Sequence, residues 1–380
     1  MTFALTQEQK MLQDMVREYA QAVIKPLADT LDKASEFPAQ TVEQLAEMGI
    51  MGLNIPEEYG GSAMDEICKV LAISEIACCC GSTAELLAVH LLVNDIILKN
   101  GDERQKQSYL TAAASGKLGA FALTEAGAGS DASAVMTKAV VDENEYVING
   151  TKCFISNMGP EEGDFVVVIA STDPSRGIKG LSALLVDRDT PGFSLGKTED
   201  KMGIRAAAVS ELVFKDCRVP KANLLGKEGD GFKIAMAGLD GGRIGIAAQA
   251  VGLARGALEA AVVYGRQRIQ FGKPIALNQG LQWYIADMAT RTESAWMLTL
   301  AAADARQRKE PTTKLAAMAK YAASEAAVFV CDRALQIHGG YGYMKDYPIE
   351  RMYRDARITT LYEGTSEVQK NIISKEAMKD

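Results

Sequence analysis

The chain has 380 residues, 48% of them apolar, and its 41 basic against 49 acidic side chains leave a formal net charge of −8. That composition supplies a large core over two or three domains, excludes disorder and collagen-like repeats, and argues against a basic nucleic-acid-binding surface. The most continuous apolar stretches, FVVVIA (165–170) and LSALLV (181–186), fall far short of the ~20 residues of a membrane-spanning helix, so no membrane span is expected.

From residue 1 to about 118 the pattern is helical, with Leu5, Met11, Leu12, Met15, Val16 and Tyr19 near the spacing of one helix face. The first turns carry polar and acidic residues, unlike a secretory signal. The loop Asn54-Ile55-Pro56-Glu57-Glu58-Tyr59-Gly60-Gly61 interrupts the pattern. Cys78-Cys79-Cys80 follow ISEIA in an apolar helical run, where neighbouring side chains point about 100° apart and cannot share one metal, so they read as packing. The other cysteines, Cys68, Cys153, Cys217 and Cys331, form no CxxC and have no histidine nearby to complete a zinc set, which fits a reduced cytoplasm.

Residues 119–228 form a β-rich zone in which FVVVIA, LSALLV and SELVF are separated by the turn signals Asn149-Gly150, Asp173-Pro174 and Thr190-Pro191-Gly192. Residues 229–380 return to helix, in Ala-rich runs at 243–266, 277–308 and 313–338 broken by FGKP, KEPT and HGGYGY. The order is all-α, all-β, all-α. That segregation disfavours a doubly wound nucleotide-binding sheet, in which strands and helices alternate.

Three segments can carry chemistry. FALTEAGAGSDAS (121–133) offers exposed N–H groups and hydroxyls for a phosphate or a flavin edge, but lacks the lysine of a P-loop, and a plain Gly-rich turn explains it equally. Gly339-Gly340-Tyr341-Gly342-Tyr343, after His338, permits a close backbone approach or simply ends a helix. Glu363 stands beside Gly364 just before a helix that Thr365 or Ser366 can cap, as a base or as a solvated acid.

In order and separation, TEAGAGSDAS (124–133), NGTKCFISN (149–157), LDGGRIGIAAQAVG (239–252), RIQFGKPI (268–275), QIHGGYGY (336–343), RMYRDARI (351–358) and YEGTSEVQ (362–369) resemble the acyl-CoA dehydrogenase family from end to end, most closely its bacterial short-chain, butyryl-CoA branch. The resemblance implies an α+β multidomain fold: an N-terminal helical domain (1–118), a middle β-barrel-like domain (119–228) and a C-terminal domain of four-helix-bundle type (229–380). It implies an FAD enzyme that forms a double bond between Cα and Cβ of a short or compact acyl-CoA. Glu363 matches the base that removes the α-proton while hydride passes to flavin N5.

The resemblance sets Phe121, Leu123, Thr124 and Ser130 around the flavin, with Phe154, Ile155 and Ser156 on its other side; many relatives carry Trp where Phe154 stands. Arg268, Phe271, Gln279, Gln336, Gly339 and Gly340 match positions that reach the FAD of a neighbouring subunit, and Thr365 and Glu367 match positions near its adenosine half. Ser130, Asp240, Gly241, Gly242, Arg243 and Gly364 match acyl-CoA contacts, with Arg243 expected on a CoA phosphate rather than bracing a 240–243 turn. Electron-transferring flavoprotein is the implied partner and a cytoplasmic homotetramer the implied assembly. The same fold run as an enoyl-CoA reductase, and a catalytically silent scaffold, are the rival readings. Glu363 speaks against the scaffold, which needs no base.

Overall fold

The computed structural model describes residues 4–379. The helical N-terminal part holds α1 (Gln7–Tyr19), α2 (Lys25–Ala34), α3 (Ala39–Glu47), α4 (Glu66–Ala77) and α5 (Gly81–Asn100), then short α6 (Glu103–Gln105) and α7 (Thr111–Ala114). Thr6 starts α1 through a capping box with Gln9. Leu12 and Val16 go into the core, whereas Met11 and Met15 face outward, so the buried stripe of α1 is narrower than the spacing predicts. Cys78, Cys79 and Cys80 lie in the tight α4–α5 connection rather than in a helix, and all three are buried.

The middle part is β1 (Gly119–Ala122), β2 (Lys138–Asp142), β3 (Glu145–Ser156), β4 (Phe165–Ser171), β5 (Leu181–Asp187), β6 (Phe193–Thr198), β7 (Val209–Pro220) and β8 (Leu224–Leu225). They form one sheet in the order β6-β7-β3-β2-β4-β5-β8, with β1 running parallel beside β4. The sheet is open, with β6 and β8 as its ends, where a closed barrel would pair them. Asn149-Gly150 is not the predicted turn. β3 runs through it with a register shift against β7, and the hairpin turn comes earlier, between Asp142 and Glu145. β4 is buried on both faces: Val166, Val168 and Ala170 enter the sheet's own core, while Phe165, Val167 and Ile169 pack with Val93 and Ile96 of α5.

Helices α8 (Gly231–Gln267), α9 (Gln279–Gln307), α10 (Thr313–His338), α11 (Ile349–Ile358) and α12 (Ser366–Ala377) complete the chain, with a hairpin of β9 (Ile269–Gln270) and β10 (Lys273–Pro274) between α8 and α9. Residues 240–243, read as a turn, are helical and lie inside α8. One continuous core draws on both helical parts, from Leu12 to Leu118 and from Ile244 to Ala356. α5 and α8 are each long and apolar enough to cross a membrane, although neither contains an unbroken apolar run of that length. Yet 89% and 67% of their most apolar windows are buried inside the protein, so that apolarity serves the core.

Candidate active site

A cleft of about 430 Å³ opens where the sheet, α5, α8 and the turn before α12 meet. Phe121, Leu123, Thr124 and Ser130 line it from the segment after β1, and Phe154, Ile155 and Ser156 from the end of β3. Val89 and Leu92 come from α5, Met236, Leu239 and Arg243 from α8, and Tyr362, Glu363 and Gly364 from the turn. Ten of the predicted residues thus converge from four separate segments of sequence.

Local structure explains the convergence. The register of β3 against β7 shifts between Lys152 and Ile155, and Phe154 takes φ +59°, so this bulge turns its ring outward into the cleft. The 124–133 segment is held by Glu125, which accepts from the N–H groups of Met136 (2.7 Å) and Thr137 (3.0 Å) and from Lys152 Nζ (2.8 Å). Lys152 also donates to the carbonyl of Leu123 at 2.9 Å. Gly127 and Gly129 face open space, where an added Cβ meets nothing within 4 Å.

Glu363 sits at φ +50° and Gly364 at φ +96°, a left-handed pair that few residues tolerate. The turn is braced from beneath. Lys320 Nζ donates to the Gly364 carbonyl at 2.8 Å, and Gln369 Nε2 to the carbonyls of Glu363 and Gly364 at 3.1 and 2.9 Å. Thr365 caps α12 by accepting from the N–H of Val368. The Glu363 carboxylate lies against α8 where Gly242 has no side chain: a Cβ there would stand 2.3 Å from Oε2 and 2.4 Å from Leu92. Oε2 is buried and has no hydrogen-bond partner. Burial pushes this carboxyl up to about 8, against the opposing pull of Arg243 and Lys320.

Arg243 lines the cleft and is largely buried. It pairs with Asp240 at 2.7 Å and reaches the Glu363 carbonyl at 3.4 Å. Asp240 also accepts from Thr313. Gly241 stands outside the cleft lining, where a Cβ would meet Arg306 at 2.4 Å.

Two groups escaped the sequence reading. Lys320 is fully buried, and burial brings its ammonium down to about 8 even with Glu363 opposing. Glu85 on α5 is also fully buried with both carboxylate oxygens unpaired, and burial pushes it up to about 7. A charged residue within an apolar helical run is the signal that marks each of them. Both histidines are structural. His90 bonds the Met51 carbonyl at 3.1 Å and burial lowers it to about 4, while His338 bonds the Ala334 carbonyl at 2.7 Å and stacks on Tyr264.

The remaining predicted residues lie elsewhere. Arg268, Gly339 and Gly340 line a second cleft of about 510 Å³ with Tyr264, Gln270 and Tyr341, and it shares no lining residue with the first. Gln279 and Gln336 are exposed, as is Phe271 at the hairpin tip. Glu367 is exposed in the first turn of α12.

The first cleft fits a flavin: the Phe154 ring offers a stacking face, the 124–133 segment leaves open space, and an orphaned carboxylate oxygen waits at one end. Gly339 and Gly340 likewise leave open space in the second cleft, where no Cβ contact would arise.

Three family models cover nearly the whole chain: "Acyl-CoA dehydrogenase, N-terminal domain" over residues 6–117, "middle domain" over 120–217 and "C-terminal domain" over 229–378. The acryloyl-CoA reductase (NADH) of Anaerotignum propionicum is 54% identical, across 100% of this chain and 96% of that protein. Butyryl-CoA dehydrogenase from Megasphaera elsdenii superposes with a TM-score of 0.97 at 41% identity, covering 100% of both chains. A chain from a structure described as the electron transferring flavoprotein of Acidaminococcus fermentans, concerned with flavin-based electron bifurcation, superposes with a TM-score of 0.98 at 46% identity, also covering 100% of both.

Proposed function

The chain belongs to the acyl-CoA dehydrogenase family, and from that premise we propose that it is an FAD enzyme that removes hydrogen from Cα and Cβ of a short or compact acyl-CoA thioester, with Glu363 as its base. The observation that carries this reading is the unpaired Oε2 of Glu363, held in the cleft beside the apolar side chains of Leu92 and Leu239. FAD, when bound, supplies the acceptor for the β-hydride.

Every other part falls to the protein. Glu363 in its ionised form takes the α-proton, and its raised pKa brings its basicity closer to what so weak a carbon acid requires. The N–H of the same residue polarises the thioester carbonyl and meets the developing enolate charge. Arg243 and Lys320 restrain the rise of the carboxyl's pKa, so that its ionised form is reached near neutral pH. Val89, Leu92, Met236 and Leu239 exclude water from the reacting carbons. Phe121, Leu123, Thr124, Ser130, Phe154, Ile155 and Ser156 hold the flavin, and Ser130 and Gly364 meet the acyl-CoA.

The assembly is a homotetramer in which Arg268, Gly339 and Gly340 complete the FAD site of a neighbouring copy. The exposed Phe271, Leu277, Trp283 and Tyr343 support this, as apolar surface near the second cleft that a partner would cover. Seven free cysteines fit the cytoplasm. Electron-transferring flavoprotein is the electron carrier, since the sequence has no iron–sulfur spacing, GxGxxG unit or haem attachment motif of its own.

Anaerobic addition of butyryl-CoA to the purified protein tests the reading. Loss of the flavin's visible absorbance is expected; a colourless protein that FAD does not reconstitute overturns it. The same site working as an enoyl-CoA reductase is the second reading, favoured by the name of the relative from Anaerotignum propionicum. Turnover of acrylyl-CoA with NADH, with and without electron-transferring flavoprotein, decides between the two directions.

A further inference from the structure

We propose that Glu85 is a specificity-determining residue of the acyl pocket, and that it favours acyl groups whose far end carries a hydrogen-bond-donating hydroxyl over alkyl chains of the same length. The proposal deepens the acyl-CoA reading above and rests on it.

Glu85, Val89 and Leu92 follow i, i+4, i+7 spacing and share one face of α5. Val89 and Leu92 line the cleft, and Leu92 lies against Gly242 at the Glu363 carboxylate. The stripe therefore leads from the reacting end, at Leu92, to Glu85 about 10 Å further along the helix at ~1.5 Å per residue. An acyl group whose Cα faces Glu363 extends along this stripe toward Glu85.

Chemistry gives the second observation. Glu85 is completely buried, and neither of its carboxylate oxygens has a hydrogen-bond partner. A buried polar group without a partner is costly, and native proteins leave few of them. Its charge is felt by two residues of the cleft wall, Tyr362 and Glu363, and by Lys201 outside the cleft. The Ser156 hydroxyl, on the cleft wall, is near enough to lower Glu85 but does not reach hydrogen-bonding geometry with either oxygen. The charge of Lys201 opposes the rise of Glu85 without forming an ion pair, so the acid is left unsatisfied just behind the cleft wall, which Val89 and Ser156 line and Glu85 does not. A hydroxyl suits it in either protonation state, accepting from the acid form and donating to the carboxylate. An alkyl terminus leaves it unpaired and adds its own cost.

Two isosteric pairs test this, 4-hydroxybutyryl-CoA against pentanoyl-CoA and 5-hydroxypentanoyl-CoA against hexanoyl-CoA. For the wild-type holoenzyme the hydroxy member of at least one pair should have the higher kcat/KM by about tenfold or more, a discrimination that hydrogen-bonding sites readily reach. Glu85→Gln, which keeps shape and hydrogen bonding, should retain much of that preference; Glu85→Val should abolish or reverse it. A ratio that stays within twofold in Glu85→Val, or a wild type that prefers the alkyl member of both pairs, overturns the proposal. Butyryl-CoA is the control on the wild type: if it fails to bleach the flavin, the acyl-CoA reading itself falls, whereas bleaching with unaltered ratios removes only the role of Glu85. If Glu85→Val does not fold, a wild type lacking the preference still overturns it.

Discussion

Glu363 lines the cleft and Glu125 fastens the segment behind its wall, and the surroundings of these two enclosed carboxylates drive them in opposite directions. Burial would raise Glu125, but hydrogen bonds from Lys152 and Thr137 outweigh it and hold that carboxyl below its ordinary value. Glu363 keeps one oxygen without a partner, and burial carries it up to about 8. The first arrangement is a fastening, since both oxygens of Glu125 already accept from the protein, three hydrogen bonds in all. The second leaves an oxygen free for the base role proposed above. Burial alone does not separate them; satisfaction of hydrogen-bonding capacity does.

The contrast is broken most sharply by exchanging the roles. Glu363→Gln deletes the proton acceptor while keeping its shape, and should lower kcat by about two to four orders of magnitude while FAD stays bound. Stopped-flow flavin reduction measures it, and retention of more than about a tenth of the rate would place the base elsewhere. Glu125→Ala should cost about 3–5 kcal/mol of stability, because it strands Lys152 as an unpaired buried cation. Thermal melting should show that loss, and Glu125→Ala combined with Lys152→Met should recover part of it.

Gly242→Ala probes the space beside the base. Its methyl would press on both oxygens of Glu363 and on Leu92, and overpacking of this kind costs about 1–3 kcal/mol. The rate should fall more than the melting temperature, because the carboxylate is the group displaced. In pH dependence two signs oppose. Glu363 is more basic in the folded protein, near 8, than in an unfolded chain near 4.5, so folding takes up a proton between those values. Its contribution to stability is therefore present below about pH 4.5, declines as pH rises, and is fully lost above about pH 8. Activity needs the ionised form, so kcat/KM should climb with pH over the same interval and level off near 8. Glu363→Gln should flatten its share of the stability slope, as urea unfolding at a series of pH values would show.

Much of this was legible from residue order. The Ala-rich runs gave helices α8 to α10, the β-branched runs gave β4 and β5, and the motif around Glu363 marked a carboxylate that does stand in the cleft. What escaped depended on tertiary neighbours. Asn149-Gly150 has the residues of a tight hairpin, yet the turn formed between Asp142 and Glu145, and the Asn149 side chain instead accepts from the Asp216 N–H of β7 at 2.9 Å. Residues 240–243 read only as a turn that Arg243 could brace, and they are helical. In the fold Gly241 and Gly242 give the space that Arg306 and Glu363 occupy against α8. Glu85 lies among apolar residues, where helical periodicity has no means of telling a buried acid from an exposed one.

The single core shared by the two helical parts governs how the chain can be made. Its N-terminal contribution ends at Leu118 and its C-terminal contribution begins at Ile244, so 126 residues of translation separate them (244 − 118). At about 5–20 residues per second, a ribosome leaves the apolar faces of α4 and α5 without their partner α8 for roughly 6–25 s. The middle sheet, with a core of its own, can fold in that interval, but the helices before it must wait. Newly made chains are therefore most open to aggregation and to holding chaperones midway through synthesis, well before any site for cofactor exists.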